Sequence, residues 1–578
     1  MKKRICLLLA VLLTLSLLTG CANDRTSLLG DLFSRLDGRD SALPICRFDD
    51  MPYERPDLTA MREKAGEIEA LLDSGARFKK VTKALEELYG LYYSMQTMTT
   101  LANIRNCQDL TDAYYAAEYA WCSAATAEVS QIMEEVYLAC GSSSLAERLA
   151  ADFFWEGFLD EYGPDSESMF TDAYLELAAQ ESELLADYRA LLAYPVIEID
   201  GQEWLLSDYI YGAGDEDILR AYGAYYESYN PKLAALYIDL VGVRRQMAAE
   251  LGYESYAAMM YDLGYGRDFS LAEGDAFITA VRRTLVPLSV ELEAAGVRDG
   301  VWYSLVDEDD LRLILSAVAD GIGGEAKKAW RFMDRYELCD LRVSANKPDM
   351  AFQTYLDDYE APFLFLGAYG DTEDIKTVTH EFGHYVQSYS DYNAYRTMDL
   401  AECFSQAMQY LSLDAMRGTL AAEEIDNLRR LNLIDTLDTY VQQISFADFE
   451  RQVYAQPELT VDYLNDLSLR LAKDYGYYDG VNDLYYALSW IDITHFFEQP
   501  FYVISYPASA GVALEIYERE LKEDGAGLAA FWDLLDTSDP GLLTAVEEAG
   551  LSDPLTPTRI ADIATFLREE LILVSHEK

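Results

Sequence analysis

Residues 374–390 read DIKTVTHEFGHYVQSYS and hold two of the four histidines in a chain of 578 residues. On a helix, His380 and His384 lie one turn apart and project from the same face. That is the spacing at which one tetrahedral metal takes two ligands. Glu381 sits just beyond His380, within reach of a water on such a metal but not placed to replace a ligand. A carboxylate there can take the proton as the water attacks a carbonyl. The pattern is H-E-x-x-H, written here as HEFGH. With so few histidines, chance places it well below once in roughly a hundred such chains. The competing reading is two surface histidines on an acidic helix.

A catalytic metal needs a third protein ligand and an open position. His495 and His576 are distant in sequence, so a carboxylate is the better candidate. MDLAECFSQAMQY, residues 398–410, has helical periodicity and carries Glu402, 18 residues past His384. A helix, a loop and a second antiparallel helix fit that interval. Glu402 alone is one acid among many. On the other side of the histidines, APFLFLGAYGD (361–371) is an apolar run ending in a turn. It reads as a short strand, either with a free edge offered to an extended peptide or simply buried.

The rest of the chain bounds these readings. Hydrophobic residues make up 51% of it, enough for a sizeable core. Lys plus Arg number 45 and Asp plus Glu 101, a net charge of −56. Such a surface repels nucleic acid and avoids anionic lipid. The acid either solvates the surface or draws cationic substrates into a cavity. The N-terminus MKKRICLLLAVLLTLSLLTGCAN, with its basic start and apolar run, reads as a secretory signal. LTGC (18–21) resembles the lipobox of bacterial lipoproteins. That implies cleavage before Cys21, lipid on its sulfur, and attachment to a bacterial cell membrane, facing outside the cytoplasm. A plain signal peptide with a chance cysteine is the alternative. No other apolar run approaches a spanning length. Six cysteines remain beyond Cys6 and Cys21, with no C-x-x-C pair. Cys107, Cys122 and Cys140 are candidates for disulfides or for buried free thiols.

Helical periodicity runs from about Pro56 to Leu192, as in RPDLTAMREKAGEIEALLDSG. PVIEIDGQEWLL then alternates on either side of Asp200-Gly201, a two-residue hairpin turn. Helical patterns resume from about Glu216, with a break expected at Gly252. The expected division is a signal peptide at 1–20, a lipidated tether at 21–45, an N-terminal helical lobe at 46–195 and a catalytic region at 196–578.

Several segments together resemble the thimet oligopeptidase and oligoendopeptidase F family of zinc peptidases. They are HEFGH, ECFSQ (402–406), VIEIDGQEWLL, LYIDLVGVRRQMAAELGYESY, FLFLGAYGDTEDIKTVTHEFGH and ISFADFERQVY. The likeness covers most of residues 196–510. It implies His380, His384 and Glu402 as ligands of one zinc ion and Glu381 as general base. WIDITHFFEQPFYVISYPASA (490–510) resembles the family segment in which a histidine and tyrosines bond the oxyanion and the substrate backbone. That points to His495, to Tyr506 first and to Tyr502 second. The implied fold is mostly α, with two helical lobes around a deep channel and a small β-sheet beside the zinc-site helices. The implied activity is hydrolysis of short unstructured peptides, by a monomer in preference to an oligomer.

Three departures stand out. The His495 segment is one residue longer than usual. Gln387 stands where the family commonly has a histidine, and Gln409 where it tends to carry an acid. Two other readings stay open: a lipid-anchored peptide-binding protein and a degenerate peptidase kept as a scaffold.

Overall fold

The computed structural model describes residues 43–576 apart from 156, 167, 169–170, 211–212 and 391–395. The expected signal peptide, Cys21 and residues 21–42 of the expected tether lie outside the described residues, as does the side chain of His576.

The fold is mostly helical, with two small sheets. It opens with α1 (Leu58–Asp73), α2 (Phe78–Gln108) and α3 (Ala113–Gly141), which pack on one another. Side-chain caps mark the starts of α1 and α3. The Asp57 carboxylate accepts the Thr59 N–H, and Asp112 accepts those of Tyr114 and Tyr115. Their shared core holds Ile68, Leu85, Leu88 and Val136 and a nest of rings from Tyr137, Phe154, Trp155 and Phe158. The far end of α2 belongs elsewhere. Met98, Leu101 and Ile104 enter the main core, so one long helix joins the two.

Next come α4 (Asp172–Ala193) and the hairpin β1 (Val196–Ile199) and β2 (Gln202–Leu205). Ile199 pairs with Gln202, and Asp200 and Gly201 both take positive φ, 53° and 76°. This is the twist-compatible turn that Asp-Gly favours. After it, α5 (Asp215–Glu250) runs through Pro231 and stops before Gly252, whose φ is +78°. Helix α6 (Leu271–Ala294) begins with a capping box between Ser270 and Glu273.

A three-stranded sheet follows: β3 (Cys339–Asp340), β4 (Ala351–Leu356) and β5 (Ala361–Leu366), in the order β3-β5-β4. The expectation of a free edge on residues 361–371 is corrected here. All six residues of β5 are buried, and the strand pairs antiparallel with β4 along its whole length and parallel with β3. A continuous apolar run marks a central strand, and the outer position falls to β4.

Four helices then build the centre of the molecule: α7 (Thr372–Ser390), α8 (Met398–Ala415), α9 (Ile444–Ala455) and α10 (Ser505–Lys522). Helix α8 packs against both α7 and α10, and α7 lies on β4 and β5. The main core runs through them with Phe363, Phe382, Phe404, Ile444, Phe496 and Val512. Cys46, Cys107, Cys122, Cys140, Cys339 and Cys403 are all free, and all but Cys46 are buried. Among the described residues, no helix is long and apolar enough to cross a membrane.

Candidate metal centre and active site

The site starts at the turn from β5 into α7. Asp374 is buried and accepts the backbone N–H groups of Tyr369, Gly370 and Asp371 at 2.9, 2.6 and 3.3 Å. Its carboxylate thereby satisfies donors at the positive end of α7 and fixes the helix against the sheet. Two turns on, His380 and His384 project from one face, their ring centroids 5.2 Å apart.

Glu402 reaches the same point from α8 with no exposed surface. Its Oε2 lies 3.4 Å from His380 Nε2 and 3.7 Å from His384 Nε2. One donor atom from each of the three residues falls within 4.8 Å of the others. The crossing of α7 and α8 permits this. A Cβ on Gly383 would meet the Phe404 carbonyl oxygen at 2.5 Å and Ser405 Cα at 2.6 Å, both backbone. The glycine inside HEFGH is thus a packing requirement. We expect Gly383→Ala to destabilise the fold by about 1–3 kcal/mol through overpacking and to weaken metal binding by parting the helices. Thermal unfolding and zinc titration would check this.

Two of the three side chains are held by hydrogen bonds. Gln409 Oε1 lies 3.3 Å from His380 Nδ1, which leaves Nε2 turned to the centre. Tyr502 donates its hydroxyl to Glu402 Oε1 at 2.8 Å, and Ser405 donates to Oε2 at 3.0 Å. His384 Nε2 is buried and has no hydrogen-bond partner among the described residues, and the same is true of Glu381 Oε2. Orphaned buried polar atoms are rare without a reason. Two imidazoles and a carboxylate, with one imidazole nitrogen unmet, fit a divalent metal that takes nitrogen and oxygen donors.

Electrostatics sort the roles further. Burial pushes the Glu381 carboxyl up to about 7, opposed by the charge of His380. Burial pushes the His384 imidazole down to about 4, whereas the His380 imidazole is raised to about 9, because its bond to Glu402 and the Glu402 charge outweigh burial. Burial acts to raise Glu402, but its bond to His380 and the charge of His384 outweigh that and hold it down at about 2.

His495 sits on the short helix Thr494–Glu498. Its ring is 5.7 Å from Tyr502 and 6.1 Å from Tyr506, and the two tyrosine rings are 5.0 Å apart. Burial pushes its imidazole down to about 4, so it is neutral near pH 7. The structure therefore gathers all seven candidate side chains, in two groups that meet where Tyr502 bonds Glu402. Gln387 is buried on α7 one turn beyond Gly383.

Residues that the sequence did not single out complete the surroundings. Arg267, whose side chain has no exposed surface, bonds Asp399 through Nε at 3.1 Å and Ser505 through Nη2 at 2.9 Å. It ties the start of α8 to the start of α10 and so fixes Tyr502 relative to Glu402. Glu450 accepts the Phe501 N–H at 2.8 Å and shapes the turn, with Phe501 at φ +66°, that delivers Tyr502.

Two descriptions of known families match the chain. Residues 48–160 match the peptidase M3 N-terminal domain, and residues 331–530 match peptidase family M3. The chain belongs to peptidase family M3. It is 29% identical over 209 residues to the chromosomal oligoendopeptidase F of Lactococcus lactis subsp. cremoris, across 31% of each chain. It is 25% identical over 228 residues to oligopeptidase PepF of Bacillus subtilis strain 168, across 36% of this chain and 33% of that one. These alignments span about a third of the curated relatives' lengths. A solved structure of PZ peptidase A with an inhibitor superposes with a TM-score of 0.76 at 22% identity, over 91% of this chain and 99% of the other. That likeness establishes a shared fold.

Proposed function

We propose that the chain is a zinc-dependent oligoendopeptidase, in which His380, His384 and Glu402 hold one zinc ion. The observation that carries this reading is the convergence of these three donors beside the unpartnered oxygen of Glu381. When bound, zinc supplies Lewis-acid chemistry, polarising the scissile carbonyl and easing the ionisation of water.

The protein's own groups do the rest. Glu381 takes a proton from the attacking water as the new C–O bond forms, and delivers it to the amine as the C–N bond breaks. A buried carboxylate next to the converging donors is placed for both transfers. Neutral His495 and the Tyr506 phenol donate hydrogen bonds toward the oxygen that gains negative charge. Tyr502, bonded to Glu402, orients that ligand. The two tyrosines should therefore separate in experiment. Tyr506→Phe is expected to lower kcat by about 10²–10³-fold with metal content unchanged, the usual cost of losing an oxyanion donor. Tyr502→Phe is expected to weaken zinc binding as well, as read by titration against a chelating dye.

The substrates proposed are short flexible peptides that reach the buried centre, with folded proteins excluded. One segment offered both as a free peptide and inside a stably folded host protein tests this. Cleavage of the free form alone supports the reading, and equal cleavage of both would reject the size restriction. We also propose that a lipid on Cys21 holds the enzyme to a bacterial cell membrane, facing outward. Fatty-acid labelling of the wild-type chain that disappears in Cys21→Ala is the expected result, and equal labelling of both would exclude that site.

A further inference from the structure

Close to His495 in the chain stands a carboxylate that the proposed mechanism does not use. Asp492 ends a 3-10 turn, Ser489–Asp492, and Thr494 opens the short helix that carries His495. Three residues of chain span at most about 11 Å. Solvent reaches every residue on the way, since Asp492 and Thr494 are exposed and Ile493 and His495 half-buried.

Aromatic rings stand around this carboxylate. Tyr222, Tyr225 and Tyr226 share one face of α5 by their spacing. Tyr226 donates its hydroxyl to Asp492 Oδ2 at 2.6 Å, and Tyr225 donates to Oδ1 at 3.3 Å. The Tyr222 ring lies 6.1 Å from that of Tyr226. Tyr485, on the short helix Asp483–Leu488, stands edge-on to Tyr226 at 5.7 Å and is 42% exposed. The charge of Asp492 acts on its hydroxyl too. Among the described residues, no Lys or Arg forms an ion pair with Asp492. The acid that follows on the His495 helix differs, because Glu498 is paired with Arg189 at 2.8 Å. An ionised carboxylate has about four acceptor positions, so two hydroxyls leave Asp492 with capacity to spare. Crowding by protein pushes its carboxyl up against the pull of both hydroxyls, as expected of an acid without a cation.

A solvent-open carboxylate without a cation, flanked by exposed ring surface, is the chemistry that receives a guanidinium. We propose that Asp492, with Tyr485 and Tyr222, forms a subsite for a basic side chain of the peptide substrate, arginine fitting best. This rests on the peptidase proposal. The guanidinium donates to the open lone pairs of Asp492 and lies against the Tyr485 ring, while its hydrocarbon stem covers Tyr222. An extended peptide advances about 3.3 Å per residue, so the basic residue falls within about four positions of the cleaved bond. The net charge of −56 draws cationic peptides to the molecule, and Asp492 then sorts them by where the basic residue stands.

The test uses peptides of one neutral sequence with a single arginine moved along it, each paired with a peptide carrying citrulline there, which keeps the shape but not the charge. Two quantities are read: kcat/KM with the zinc-loaded full chain, and equilibrium binding to the chain stripped of metal. At one position arginine should exceed citrulline by about 10-fold in both. Asp492→Asn should bring that ratio close to one, and Asp492→Arg should turn the preference toward glutamate at the same position. Tyr485→Leu, at an exposed site, should cut the ratio by about 3-fold. Taking the ratio within each variant cancels any general loss of activity. No arginine preference in either reading, or a preference that Asp492→Asn leaves intact, would overturn the subsite. An Asp492-dependent preference in binding, with no cleavage by the zinc-loaded wild type, would reject the peptidase proposal and leave the subsite standing.

Discussion

Glu381→Gln is expected to lower peptide hydrolysis by about 10²–10⁴-fold, the span usually supplied by a positioned general base. The fold and the metal should both remain. Glutamine is nearly isosteric with glutamate, and Glu381 does not belong to the converging trio. Its amide can still accept the hydrogen bond of a water, but it cannot take the proton. The loss should therefore fall on kcat with little change in KM, because the missing interaction is made only as the proton moves. Zinc content and the circular dichroism spectrum are the controls. Full activity in a variant that carries zinc would remove Glu381 from the proposed mechanism.

The second large effect is on the metal itself. Glu402→Ala deletes the one donor from α8 and leaves two imidazoles on α7. Zinc affinity should fall by more than the roughly 10–100-fold that loss of an outer supporting partner costs. Activity should fall with it. Gln409→Ala provides the comparison. It removes the oxygen opposite His380 Nδ1 but no donor to the metal, so its cost should lie within that roughly 10–100-fold range. Zinc titration of the wild type and both variants ranks them. Equal affinities would show that Glu402 is not a ligand.

Much of this site is legible in the sequence because the information is local. His380, Glu381 and His384 occupy five consecutive positions, and helical geometry alone puts the histidines on one face. The Asp200-Gly201 hairpin is legible for the same reason, since the turn chemistry is contained in two residues. Glu402 is harder. Nothing in its own segment separates it from the other acids, and the likeness of the surrounding text to a known family selects it.

What stayed hidden depends on contacts between distant segments. Arg267 meets Asp399 and Ser505 across 132 and 238 positions, and no pattern at Arg267 announces either partner. Tyr502 bonds Glu402 across 100 positions, so an aromatic-rich segment suggests donors to substrate but not support of a ligand. Gly383 looks like a helix-weakening residue until α8 crosses it at backbone distance. Gln409 reads in sequence as a lost acid, yet its amide oxygen faces His380. The strand β5 shows the limit of the apolar run as a signal. Six buried residues in a row mark burial on both faces but do not say which edges are paired.

We propose that one metal, held by His380, His384 and Glu402, works with Glu381 to cut short peptides. The most direct measurement is mass spectrometry of a pool of short synthetic peptides after incubation with the full chain. The samples are the protein as purified, the protein stripped by a chelator, the stripped protein given zinc, and Glu381→Gln loaded with zinc. Cleavage within the peptides is expected in the first sample, loss in the second, recovery in the third and near absence in the fourth. Cleavage that persists after stripping or in Glu381→Gln, or no cleavage by the zinc-loaded wild type, would contradict it.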